Sequence, residues 1–178
     1  MGHPMPSPVG HSLAATAVGW ALNRPAPRWR PMLIQTAILA LVGTAPDLDI
    51  LWGRHSRETH SIGAALVCAA IAAWQRWPVG ARSRPMIFAS VAAAWFSHPI
   101  LDAFALSDRP WPGVWMWWPF NATPVHSVHA FFEPIWRDFD RAGIWAQNFT
   151  AAGHETLLIA PIVLIVWLIR RKSERALG

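Results

Sequence analysis

Residues 85–106 read PMIFASVAAAWFSHPILDAFAL, and this stretch decides the class of the chain. It opens on a proline suited to a first helical turn and continues through apolar and small residues without a basic side chain. At 1.5 Å per residue it approaches the roughly 20 residues needed to cross a bilayer. Its two ionisable residues, His98 and Asp102, stand four apart, so both side chains project from one face of the helix. A carboxylate in such a run costs on the order of 2.5–3.5 kcal/mol on insertion scales unless something compensates it.

Working outward, four more apolar segments read as helices, giving spans of about 10–22, 32–45, 61–77, 85–106 and 151–169. The first ends before a turn containing Arg24, Pro25, Pro27, Arg28, Arg30 and Pro31, and Pro46 stops the second. The fifth ends in Arg170, Arg171 and Lys172. Only the fourth and fifth approach spanning length. The first two read either as short spans or as core helices of a partly embedded bundle. The expected fold is therefore all-α: one polytopic membrane domain of about five helices, with a Trp-rich loop before the last.

Composition agrees. Of 178 residues, 53% are hydrophobic and 14% charged, where a soluble domain carries about 25% charge. Such a chain could hardly cover its own surface in water, and a single cysteine, Cys68, excludes a disulfide scaffold. The net charge of +5 comes from fifteen basic residues, all arginine except Lys172. They fall in short clusters between apolar runs, which is the pattern of membrane topology and not of a nucleic-acid surface. If the helices alternate, Arg24, Arg28, Arg30, Arg76, Arg82, Arg84 and the C-terminal cluster share one side. That side is cytoplasmic, with the N-terminus outside and the C-terminus inside. The long connection 108–149 carries Trp111, Trp115, Trp117 and Trp118 as interfacial aromatics, and 137–141 reads as a short solvated helix.

On this map the metal-ligating residue types collect at one end, away from the arginine clusters. His11 begins the first helix, Asp47 and Asp49 follow the second, and His55 and His60 lead into the third. His98 and Asp102 lie in the second half of the fourth, and Glu155 opens the fifth beside His154. Taken alone, His98 and Asp102 read equally as a buried hydrogen-bonded staple, and Asp47 and Asp49 as turn carboxylates. Together the set points to two or three divalent ions, Zn²⁺ first, with Mn²⁺ or Fe²⁺ as alternatives for mixed imidazole and carboxylate ligation. Neighbouring divalent cations suit a hydroxide nucleophile and a phosphoryl oxygen. The chain has neither a Gly-rich phosphate loop nor a G-x-S-x-G elbow.

In order along the chain stand Gly10-His11, Pro46-Asp47-Leu48-Asp49, His55-x4-His60-Ser61, Ser97-His98-x3-Asp102 and Trp118-Pro119. This set resembles the YdjM family of bacterial inner-membrane, metal-dependent hydrolases, whose pattern is roughly G-H, P-D-x-D, H-R-G-x-T-H-S, S-H-x-x-x-D and W-P. The resemblance covers about residues 10–120, and Glu155 is similar to the glutamate that often opens the last helix of the family. The His-x3-Asp element is more distantly similar to that of zinc-dependent phospholipase C and P1-type nucleases. In place of H-R-G this chain has His55-Ser56-Arg57, which displaces the basic residue by one. Ser107-Asp108-Arg109-Pro110 replaces the family's usual turn, and His126 and His129 are additional.

The expected function is hydrolysis of a phosphate ester, lipid-like in character, by metal-activated water at the outer side of the inner membrane. The expected metal ligands are His11, Asp47, Asp49, His55, His60, His98, Asp102 and Glu155. Asp49 or Glu155 would accept the proton from the water, and Arg54 or Arg57 would hold the anionic group. Two other classes remain open from sequence: a metal transporter, and a membrane protein whose metal only locks the bundle.

Overall fold

The computed structural model describes residues 5–53, 55–107 and 111–175. Five α-helices follow one another: α1 (Pro8–Leu22), α2 (Trp29–Thr44), α3 (Ile62–Gln75), α4 (Arg84–Ala103) and α5 (Ile144–Arg175). A 3₁₀ segment, Ala45–Trp52, continues directly from α2. The described residues form no strands, only two isolated bridges within the long connection and the end of α4. The fold is all-α.

Local signals account for the helix ends. Ser7 caps α1 by accepting from the Gly10 amide, and Pro8 follows it where no amide is needed. Ser61 caps α3 through the Ala64 amide, and Arg76 ends that helix in the left-handed conformation. Pro46 ends the α-helical part of α2 but does not end the rod. As an early residue of the 3₁₀ segment it needs no amide partner, so the apolar stretch runs on to Leu51. Three stretches are consequently long and apolar enough to cross a membrane: Trp29–Leu51, Arg84–Ala103 and Ile144–Arg171. This adds the second segment to the two expected from sequence.

Two further expectations change. The last helix begins seven residues earlier than read, at Ile144, because the two turns before Ala151, which carry Gln147, Asn148 and Thr150, continue the helix. The proposed short helix at 137–141 is instead a run of turns ending at Gly143, whose positive φ favours glycine.

The helices meet through small residues. Ala15 on α1, Ala69 and Ala72 on α3 and Ala94 on α4 are buried together with Leu39, Val42, Ile87 and Val91. Small side chains let helix backbones approach closely where lipid supplies no hydrophobic drive. Gly43 shows how closely: a methyl group there would meet the Ala15 side chain and the His11 carbonyl. α1 packs against α2, α4 and α5, and α3 against α4. Outside this core, Leu33, Leu41, Val67, Trp74, Leu157, Ile162, Ile165 and Ile169 are exposed, an apolar belt suited to lipid.

Candidate metal centre

Four chain segments deliver polar groups to one buried end of the bundle. His11 sits in the first turn of α1, and Asp47 and Asp49 in the 3₁₀ segment. His55 and His60 come from the connection before α3, and His98 and Asp102 from the last turns of α4. His11, His60, His98, Asp49 and Asp102 are all at most 1% exposed, while the Asp47 side chain keeps 13%.

The 3₁₀ geometry separates the two aspartates. At three residues per turn, positions two apart point in different directions. Asp47 turns inward: its Oδ1 lies 3.4 Å from His98 Nε2, 3.5 Å from His60 Nε2 and 3.8 Å from His55 Nδ1. Asp49 turns behind the imidazoles. One of its oxygens lies 2.8 Å from His55 Nδ1, and the other accepts from the Thr59 hydroxyl at 2.6 Å and lies 3.2 Å from His60 Nδ1. Asp102 completes the set, with Oδ1 3.4 Å from His11 Nε2 and Oδ2 3.3 Å from His98 Nε2 and 3.4 Å from His60 Nε2. The His11 and His98 rings stack at 3.7 Å between centroids.

Hydrogen bonding fixes which atoms face inward. His98 Nδ1 lies 2.7 Å from the Gly43 carbonyl, which can only accept, so Nδ1 carries the proton and a neutral His98 presents a lone pair at Nε2. The Thr59 hydroxyl spends its hydrogen on Asp49, so His60 Nδ1 is likewise the donor, and its Nε2 also presents a lone pair. These two Nε2 atoms stand 3.1 Å apart, with carboxylate oxygens of Asp47 and Asp102 beside them. With both imidazoles neutral, four acceptors converge with no donor among them. Both His11 nitrogens, both Asp102 oxygens and Asp47 Oδ1 are buried without a hydrogen bond among the described residues. Burial works to lower the His60 pKa, but Asp47 and Asp49 outweigh it and raise it, the same demand for positive charge.

Metal cations could meet that demand. Two groups have ligand atoms close enough to hold an ion: His11, His98 and Asp102, and Asp47, His55 and His60. Each offers two imidazoles and one carboxylate. His60 and Asp47 touch the residues of the first group, so the two groups are adjacent.

Of the eight ligands expected from sequence, seven form this connected network. Glu155 stands apart. It is buried, but its carboxylate accepts from the Ser7 amide at 2.8 Å and from the Ser7 hydroxyl, holding the start of α1. Gly10 is glycine for the same reason, since a side chain there would collide with the Glu155 carboxylate. Arg57 is exposed and lies over the Trp115 ring at 5.2 Å. Arg54 and Arg109 lie outside the described residues. His126, His129 and His154 are exposed and join neither group.

Sequence reading missed Thr59, the Gly43 carbonyl and Ser7. Ser7-Pro8 carried a readable cap signal and Thr59 read only as a candidate cap of the third helix, whereas nothing local marked Gly43. The Trp-rich loop lies over the start of α3, where the Met116 and Trp118 carbonyls accept from the Ile62 and Gly63 amides. It is also tied to Ser56 through the Trp115 amide.

Residues 5–174 match the YdjM inner membrane protein family, and the chain belongs to that family. No curated protein and no solved structure matches it.

Proposed function

We propose that this membrane protein is a metal-dependent hydrolase with two adjacent divalent ions, acting on a phosphate ester attached to a lipid-like tail. The observation that carries this reading is the convergence of His60 Nε2, His98 Nε2 and the Asp47 and Asp102 carboxylates, which as neutral imidazoles and carboxylates include no proton donor. Each of the two groups supplies three protein ligands, the number that leaves a four-coordinate zinc one open position. A closed structural site would offer four. When bound, such ions lower the pKa of water and neutralise charge on a phosphoryl oxygen.

The chain's own residues keep this site in register. Gly43 holds the His98 tautomer, while Asp49 and Thr59 hold His60, and Asp49 also holds His55. Carboxylates behind ligating imidazoles orient them and raise their basicity, so we assign Asp49 to positioning. Asp47 is the site carboxylate with access to solvent and is the natural point for a proton to leave. Glu155 acts on the other side of α1.

Two features favour a lipid-like substrate. A groove of about 440 Å³ between α2, α3 and α4, lined by Ile38, Leu41, Val42, Cys68, Trp77 and Trp95, is apolar. Its Trp95 donates to the Thr59 carbonyl, so the groove abuts the ligand-bearing connection. The orientation that fits the arginine distribution puts the centre on the outer face of the inner membrane. A transit pathway would string ionisable groups along the membrane depth, whereas these cluster at one end.

The test is turnover by detergent-purified protein of known metal content. The panel is a phospholipid, a lipid diphosphate, a soluble phosphodiester and single-stranded nucleic acid. We expect cleavage of a lipid-linked substrate, abolished by chelator and restored by Zn²⁺ or Mn²⁺. Fully metallated protein that cleaves none of the four would overturn the hydrolase, and cleavage only of soluble substrates would overturn the lipid assignment.

A further inference from the structure

The rim of the metal centre is crossed by residues 132–136 of the long connection. The Phe132 carbonyl accepts from the Leu106 amide at 2.7 Å, just past α4, and the Ile135 amide donates to the Met5 carbonyl at 3.1 Å, just before α1. Trp136 is clamped at both its amide and its carbonyl by the Asn148 side chain on α5, at 2.7 and 2.8 Å. Arg137 follows directly, so its backbone is set between the helix start that carries His11 and the helix end that carries Asp102.

The Arg137 side chain is half-buried, and its Nη2 is buried without a hydrogen-bond partner among the described residues. Burial lowers the pKa of the guanidinium, while the charges of Asp47, Asp102 and Asp49 act to raise it. These three are the carboxylates of the metal centre. The loop that carries the guanidinium is thus tied to the end of the bundle that holds these carboxylates, yet the side chain makes no ion pair with any of them. A buried guanidinium normally spends its N–H groups on a carboxylate, and a buried donor left unpaired is costly. Metal ions would neutralise the three aspartates and leave Arg137 with still less to bind inside the protein.

An anion shared between the metals and Arg137 resolves both problems. We propose that Arg137 is the anion-binding residue of the centre, taking oxygen atoms of the substrate's phosphate group while the metal ions take others. The planar fork of arginine matches phosphate oxygens, and an anchored loop presents it at low entropic cost. Arg57, the basic residue nearest in sequence to the ligand histidines among those described, is exposed and stacked on Trp115 instead. The inference deepens the hydrolase reading and rests on it.

The test is calorimetric titration of inorganic phosphate into the detergent-purified, zinc-loaded full chain, for wild type, Arg137→Gln and Arg137→Lys. Metal content and melting temperature are measured on the same samples. Wild type should bind phosphate, Arg137→Gln about tenfold or more weakly, and Arg137→Lys in between, with metal content and melting temperature unchanged. Equal phosphate affinity in wild type and a folded, metallated Arg137→Gln overturns the assignment and leaves the hydrolase standing. Should the glutamine variant not fold, equal affinity in Arg137→Lys overturns it in the same way. Loss of zinc from the variants also overturns it, by making Arg137 part of the metal scaffold. Zinc-loaded wild type that binds no phosphate overturns both this assignment and the phosphate-ester reading.

Discussion

The two ends of this bundle both bury polar side chains, and they treat them in opposite ways. At the arginine-rich end, Gln35 is 1% exposed, yet its carboxamide is fully engaged. It accepts from the Ala26 amide at 2.9 Å and donates to the Arg24 and Val79 carbonyls, each at 3.1 Å. Asn23 and Ser90 bond to each other close by, with the Asn23 carbonyl oxygen and the Trp20 indole nitrogen left over. At the other end, five nitrogen and oxygen atoms of His11, Asp47 and Asp102 have no hydrogen bond among the described residues. The first arrangement is nearly complete as protein and ties the α1–α2 and α3–α4 connections to α2. The second is complete only with added positive charge. Buried polarity alone therefore does not mark a site; a convergence of several unmatched polar atoms does.

Asp102→Ala should have the largest effect, because it removes a carboxylate shared by three imidazoles. We expect bound metal to fall by about half or more and the bundle to lose about 3–5 kcal/mol. Elemental analysis and thermal melts in detergent read both quantities. Metal retained in full would erase the distinction between the two ends.

Gln35→Ala should come next and should separate stability from metal. It strips partners from one half-buried amide and two carbonyls, for a loss of about 3 kcal/mol, with metal content unchanged. Loss of metal in this variant would mean that the two ends are coupled, not distinct.

Thr59→Val gives the smallest and most discriminating change. It preserves shape but removes the hydroxyl that bonds Asp49 behind the imidazoles. Loss of such support typically costs about tenfold to 100-fold in metal affinity, and we expect the lower figure with little change in melting temperature. Competition with a chromogenic chelator measures it, and an unchanged affinity would remove Asp49 and Thr59 from the positioning role.

Much of this was legible before any fold. The apolar runs and the i, i+4 spacing of His98 and Asp102 are local properties, set by hydropathy and helical period. They sufficed to name the class, number the helices and bring seven of the ligand candidates to one end. The extent of the second span was not legible, because Pro46 reads as a stop whether it ends the rod or merely converts it to 3₁₀ geometry. Nor was the extent of α5, since its first turns are polar enough to pass for loop.

By itself, then, the sequence determined the membrane class, the five helices and the polarity of the bundle, since each follows from residue type and periodicity within one segment. Only the tertiary structure decided roles. Asp47 and Asp49 are the same side chain two positions apart, and a 3₁₀ turn sends one among the imidazoles and the other behind them. Glu155 reads as a ligand until Ser7, distant in sequence, takes its carboxylate. Arg137 carries no motif, and hydrogen bonds from its loop to Met5 and Asn148 are what bring its backbone to this end of the bundle. A side chain's chemistry is inherited from its type, but its partner is set by contacts between segments far apart in the chain, and those exist only once the helices have packed.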